Sequence, residues 1–222
     1  MKLFLDTANI DQINDAMNKG AIQGVTTNPS LLSKEPKTDF DLHIAKLVEL
    51  CNSYKNGVPL SVEVFAEDPD GMIEQAKQLT EKFDYDKLNI KIPVGFEELG
   101  VIDELSSAGI RVNATCCFTA TQMELAALAG ARYVSLFYCR LLDDGGDSSE
   151  VLKRVHEFIE ANGLDCEIIA GSIRSPQDVE NAWAAGAHIV TTGYDVVKRS
   201  TEHPKTTESI QRFLSDFESW MK

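Results

Sequence analysis

The sequence contains no basic run. Lys and Arg together number 21 against 35 Asp and Glu, a formal charge of −14. A surface of that sign repels nucleic-acid phosphates and anionic lipid, so neither a nucleic-acid nor a membrane partner is expected. It also lacks any apolar stretch long enough to span a bilayer, and any basic N-terminal segment leading into an apolar one. The expectation is therefore a soluble, cytoplasmic protein. Cysteine occurs five times, at Cys51, Cys116, Cys117, Cys139 and Cys166, but never as CxxC. Four of the five sit in or beside apolar runs, which predicts buried free thiols rather than disulfides or metal ligands. Cys116 and Cys117 are adjacent, so in a strand they face opposite sides. The histidines at 43, 156, 188 and 203 are scattered, and no metal is expected. No linker or low-complexity segment divides the chain, which predicts one domain over residues 1–222. None of this excludes a small anionic substrate. A phosphate needs only an arginine or two and a few backbone N–H groups, even inside an acidic protein.

What the sequence does contain is an alternation. Runs with strand character lie at 2–7, 22–27, 59–65, 88–94, 110–118, 133–138, 166–172 and 188–192. Helical periodicity fills 8–19, 40–54, 70–83, 97–108, 119–129, 149–161, 176–185 and a short 194–199. Thr119 with Gln122 three residues on, and Ser175 before Pro176, mark helix starts. The stretch 143–147, rich in Asp and Gly, reads as a loop. Eight βα units without a compositional break predict an α/β fold, a single (β/α)8 TIM barrel with an additional C-terminal helix at 203–221. A doubly wound sheet is the rival, but no GxGxxG follows the first strand. In the last helix Ile210, Phe213, Leu214, Phe217 and Trp220 form one stripe. It either folds over its own barrel or docks on a neighbouring subunit.

One strand is unusual. Leu88-Asn89-Ile90-Lys91-Ile92-Pro93-Val94 is an apolar run with a lysine at its centre, and lysine is almost never fully buried without a reason. Desolvation disfavours an ammonium and turns lysine into a nucleophilic amine able to form a Schiff base. The alternative is an edge strand whose lysine reaches water along its own stem. The other strands bear on the choice, because barrel chemistry sits at the C-terminal strand ends. Those ends carry Asp6, Thr26 with Asn28 just beyond, Glu63, Asn113 and Thr115 two apart, Ser135 and Phe137 followed by Arg140, and Ser172 followed by Arg174. Singly each has a plain structural use: Asp6 as a helix cap, Asn28 as a turn residue before Pro29, Arg140 and Arg174 as surface residues. Together they suit carbonyl chemistry on a phosphorylated sugar. Asp6 would move the proton of a sugar hydroxyl. Glu63 and Thr115 would hold the water of imine formation, and Arg140, Arg174 and Ser172 would clamp a distal phosphate.

At Gly24-Val25-Thr26-Thr27-Asn28-Pro29-Ser30-Leu31-Leu32 the sequence resembles the signature of the transaldolase family, in its short-subunit branch with the fructose-6-phosphate aldolases. The resemblance continues through Leu5-Asp6-Thr7, Val62-Glu63-Val64, Ile90-Lys91-Ile92, Asn113-Ala114-Thr115, Ser135-Leu136-Phe137 with Arg140, and Ser172-Ile173-Arg174. It implies a Schiff-base Lys91, an acid/base at Asp6, a water held by Glu63 and Thr115, and substrate contacts from Asn28 and Asn113. Ser172, Arg140 and Arg174 would hold the phosphate, with no metal or cofactor. It also implies a homodecamer built from pentameric rings, the terminal helix packing on a neighbour. The family reaction moves a dihydroxyacetone unit from sedoheptulose 7-phosphate to glyceraldehyde 3-phosphate, giving erythrose 4-phosphate and fructose 6-phosphate in the pentose phosphate pathway. The aldolases resemble this chain but have Gln and Tyr where Glu63 and Phe137 stand. A barrel that only binds sugar phosphates is the alternative outside enzymes. Departures from the pattern are the Cys116-Cys117 pair, in place of aliphatic residues, and Gly95, where a hydroxyl residue is common.

Overall fold

The structure is a computed structural model describing residues 1–222. Eight strands close into a barrel in sequence order, each parallel to both neighbours: β1 (Lys2–Asp6), β2 (Val25–Thr26), β3 (Leu60–Glu63), β4 (Leu88–Pro93), β5 (Val112–Cys117), β6 (Tyr133–Phe137), β7 (Glu167–Ile173) and β8 (Ile189–Thr192). Eleven helices accompany them: α1 (Ile10–Asn18), α2 (Pro29–Leu32), α3 (Phe40–Ser53), α4 (Pro69–Phe83), α5 (Phe96–Ser107), α6 (Ala120–Leu128), α7 (Tyr138–Asp143), α8 (Ser148–Asn162), α9 (Pro176–Ala184), α10 (Tyr194–Arg199) and α11 (Pro204–Trp220). The expected barrel and terminal helix are both present. Thr119 and Gln122 form a reciprocal capping box on α6, and Ser175 caps α9 with Pro176 behind it.

Two core regions result from strand alternation. Outward residues such as Leu5, Val62, Ile90, Ile92 and Leu136 pack against the helices in one cluster of 48 buried side chains. This apolar shell supplies the main driving force for folding. Inside the barrel the apolar content is small: Phe4, Tyr133, Ile169 and Ile189 plug the N-terminal end, the two rings meeting edge to face at 6.4 Å. Phe4 also explains Gly24, because a Cβ there would lie 2.6 Å from the Phe4 ring. The space above the plug, toward the strand C-termini, is lined by polar side chains.

Several sequence expectations need correcting. The second strand is two residues rather than six: residues 22–24 before it and Thr27 after it fall outside, and Asn28 just beyond caps α2 with its side chain. Between the sixth strand and the loop at 143–147 no helix was expected; α7 fills that stretch, beginning at once after β6 and carrying Arg140. Two strands are bulged at their C-terminal ends. The β5–β6 register slips between Ala114 and Cys117, with Cys116 at φ +61°, and the β7–β8 register slips between Ala170 and Ile173, with Ser172 at φ +58°. Left-handed backbone in a side-chain-bearing residue costs about 1 kcal/mol or more and concentrates at functional sites. All five cysteines are free, and burial pushes the thiols of Cys51, Cys117 and Cys166 up to about 12. No helix is long and apolar enough to cross a membrane.

Candidate active site

Lys91 is 6% exposed. It points into the barrel, and the reading in which its stem carries the amine to solvent is wrong. In-register pairing of β3 with β4 sets Glu63 beside it, and Lys91 Nζ donates to Glu63 Oε2 at 2.8 Å and to the Thr27 carbonyl at 3.1 Å. An ammonium without these partners would be very costly at this depth.

Around Lys91 lies a narrow crevice of about 30 Å³ lined by Asp6, Thr26, Asn28, Asn113, Thr115, Ser135, Phe137 and Ser172, together with Gly171 and Thr191. Asp6 does not cap α1; Asn9 does, accepting from the Gln12 N–H. Asp6 is left for the crevice, where its Oδ1 accepts from Thr26 Oγ1 at 2.7 Å. Burial pushes the Asp6 carboxyl above its ordinary value, opposed by the Lys91 charge and the Thr26 hydrogen bond. A carboxyl moved upward is better matched to proton transfer near neutral pH. Asn28 does two things at once: its Oδ1 caps α2 by accepting from the Leu31 N–H at 3.0 Å, and its side chain lines the crevice. Asn113 is held from both sides, accepting from Ser135 Oγ at 2.6 Å and donating to Ser61 Oγ at 3.2 Å. Thr115 Oγ1 is buried with no protein partner, so a polar group placed in the crevice would find a free hydroxyl. No hydrogen bond joins Thr115 to Glu63; the water they were expected to share would bridge side chains on either side of Lys91.

The two arginines stand outside the crevice. Arg140 lays its guanidinium over the Phe137 ring, 4.4 Å from the centroid; Phe137 is in turn fixed edge to face by Phe118 at 5.6 Å. Arg174 is exposed and forms a two-pronged pair with Asp143 at 3.0 and 2.6 Å. A 30 Å³ space holds about one water-sized group, so only the reacting end of a sugar fits and its remainder would lie at this rim. Sequence reasoning passed over Thr191, Asp143 and the Thr27 carbonyl. Thr191 had a signal, since it is an inward hydroxyl near the end of the eighth strand. The other two did not: Asp143 lies in a stretch that reads as loop, and a carbonyl leaves no trace in the sequence.

Comparison with known proteins gives one family and one fold. The profile of the family described as Transaldolase/Fructose-6-phosphate aldolase matches residues 3–222. The chain belongs to that family. A probable transaldolase of Alkaliphilus metalliredigens is 40% identical over 222 residues, the whole of both chains. One from Heliobacterium modesticaldum is 42% identical over 219 residues, 99% of this chain and 98% of the relative. Among solved structures, one titled "Native KDPGal structure" superposes with a TM-score of 0.59 at 18% identity, covering 87% of this chain and 82% of that one, a likeness of fold. Of the departures from the family pattern, Gly95 starts α5 without a side-chain cap. Cys116 is the bulge residue itself.

Proposed function

We propose that the chain is a transaldolase acting on phosphorylated sugars of the pentose phosphate pathway, with Lys91 as the Schiff-base nucleophile. The observation that carries this is the buried Lys91 amine set between Glu63 and Asp6 at the C-terminal end of the barrel. Lys91 attacks the ketone carbon of the donor, and loss of water gives an imine. The C3–C4 bond then breaks, its electrons passing to the imine nitrogen while Asp6 takes the proton from the C4 hydroxyl. The product aldehyde leaves and an enamine of the three-carbon unit stays on Lys91. Attack of the enamine on an acceptor aldehyde, with Asp6 returning its proton, reverses these steps; water then frees the new ketose. Glu63 and Thr115 serve the water, and Thr26, Asn28, Asn113 and Ser135 hold substrate hydroxyls. Ser172, Arg140 and Arg174 receive the phosphate.

The family includes aldolases that release dihydroxyacetone. Phe137 favours transfer over release, because its ring offers no phenol to deliver a proton or orient water near the enamine. In the test, fructose 6-phosphate is incubated with and without erythrose 4-phosphate. Transfer predicts ketose product only with acceptor and no more than stoichiometric three-carbon release without it; sustained dihydroxyacetone release without acceptor assigns the aldolase reaction instead.

The same reading makes the chain one cytoplasmic domain that works as a homo-oligomer, a pentamer or a decamer of two pentamers. Support comes from α11, which has no buried residue and leaves Ile210, Phe213, Leu214, Phe217 and Trp220 each more than half exposed. A stripe of that size on an otherwise polar helix suits a second copy of the chain. Light scattering of the full chain reads the assembly mass directly, and a monomer would rule this assembly out.

A further inference from the structure

The crevice contains a hydroxyl, that of Thr191, which the mechanism above does not use and which leads through Thr26 to Asp6. Thr191 Oγ1 lies 2.6 Å from Thr26 Oγ1, which lies 2.7 Å from Asp6 Oδ1. The three residues come from β8, β2 and β1, and both threonines are almost fully buried. A hydroxyl has a single proton. While Asp6 is ionised it only accepts, so the Thr26 proton is committed to Asp6. The contact between the threonines must then be donated by Thr191. Packing fixes where that donor sits. The Thr191 methyl Cγ2 sits beside Gly171, 3.6 Å from where a Cβ on that glycine would stand. Because a β-branched side chain has few allowed χ1 states, seating the methyl there aims the hydroxyl.

We propose that Thr191 is a positioning residue for proton transfer: its hydroxyl donates to Thr26, commits the Thr26 proton to Asp6, and so holds Asp6 as the carboxylate that accepts the substrate proton. This rests on the acid/base role given to Asp6 above. The charged groups acting on Asp6 are Lys91 from β4, Glu63 from β3 and Lys34 after α2, and none of them is hydrogen-bonded to Thr191. Removing the Thr191 donor leaves those charges in place and weakens only the Thr26–Asp6 bond, since hydrogen bonds in a chain polarise and strengthen one another.

The test compares the wild type with Thr191→Val, Thr191→Ser and Thr191→Cys, each checked for cooperative unfolding. Two rates are read across pH: borohydride trapping of the Lys91 imine, and single-turnover release of glyceraldehyde 3-phosphate from fructose 6-phosphate without acceptor. In Thr191→Val the trapping profile is unchanged. The acid limb of the release step moves up by about 0.3 pH unit, the size expected for weakening rather than losing the bond to Asp6, so release is roughly 1.5-fold slower at the wild-type midpoint. Thr191→Ser restores the wild-type limb, and Thr191→Cys, a weak donor close to the native size, falls between. An unmoved limb in Thr191→Val, or one that Thr191→Ser fails to restore, overturns the proposal. If Thr191→Val does not fold, the Ser-to-Cys difference decides alone. Absence of any trapped lysine in the wild type would instead strike the proposed function.

Discussion

At the floor of the barrel the polar side chains form a closed set, whereas at the rim they are left with capacity to spare. On the floor, Arg111 Nε donates to Asn89 Oδ1 at 3.0 Å and Arg111 Nη2 to the Tyr133 hydroxyl at 3.3 Å. Asn89 in turn donates to the carbonyls of Lys87 and Leu60 at 2.9 and 3.3 Å. At the rim, Thr115 Oγ1 and Thr27 Oγ1 are buried without protein partners, Asp6 is held against its preference for water, and two strands bulge through left-handed residues. Three further orphans, on Tyr54, His156 and Trp183, belong to the helical shell, so an orphan by itself marks nothing. What separates the ends is convergence: the rim gathers an amine, carboxylates and free hydroxyls about one crevice. Satisfied polar networks specify structure, and partly satisfied ones leave a place for a ligand.

If that contrast is sound, substitutions at the two ends should have opposite signatures. The largest effect on rate is expected from Asp6→Asn, which lowers turnover by about 10²–10⁴-fold while Lys91 can still be trapped by borohydride. The same change should stabilise the protein. Burial holds the native Asp6 carboxyl above the value of 3.8 that it has when unfolded. Through that window the folded state keeps a proton the unfolded state has lost, so stability falls as pH rises, and the cost is complete above the native value. Asp6→Asn removes the titration. Its Tm should therefore exceed the wild-type Tm at pH 7, each kcal/mol appearing as about 2–4 °C, with the gain vanishing near or below the unfolded value. A lower Tm at pH 7 would break the contrast.

On the floor the expectation is reversed. Asn89→Ala leaves the Arg111 Nε–H without its acceptor and should cost about 1–3 kcal/mol in denaturant unfolding, with the trapping rate at Lys91 unchanged. A smaller effect belongs to Asp143→Asn. The exposed Asp143–Arg174 pair competes with a phosphate for the guanidinium, and a solvent-screened pair of this kind is weak. The KM for fructose 6-phosphate should fall by roughly two- to fivefold at constant kcat, the difference shrinking at high salt.

The contrast also explains what was legible in the sequence. Outward strand residues and helical stripes follow periods of two and 3.6, so the shell and the barrel could be read directly. The inward polar ends could be read as well: nine of the twelve named site residues are at the crevice itself. Glu63 is bonded to Lys91 just beside it. Arg140 and Arg174 stand outside the crevice at its rim, and their partners there could not be read, because a position after a strand end says nothing about which neighbour will take up a guanidinium. Phe137 and Asp143 do so here. The bulges at Cys116 and Ser172 could not be foreseen, since neither is a glycine and register is settled by the neighbouring strand. Thr191 was within reach and overlooked, being an ordinary strand former at the end of an otherwise apolar strand.

Lys91 carries the proposed chemistry. Incubation of the full chain with fructose 6-phosphate and borohydride, followed by peptide mapping by mass spectrometry, should find one reduced three-carbon adduct on Lys91. Lys91→Met should show none. No adduct, or an adduct on any other lysine, would contradict it.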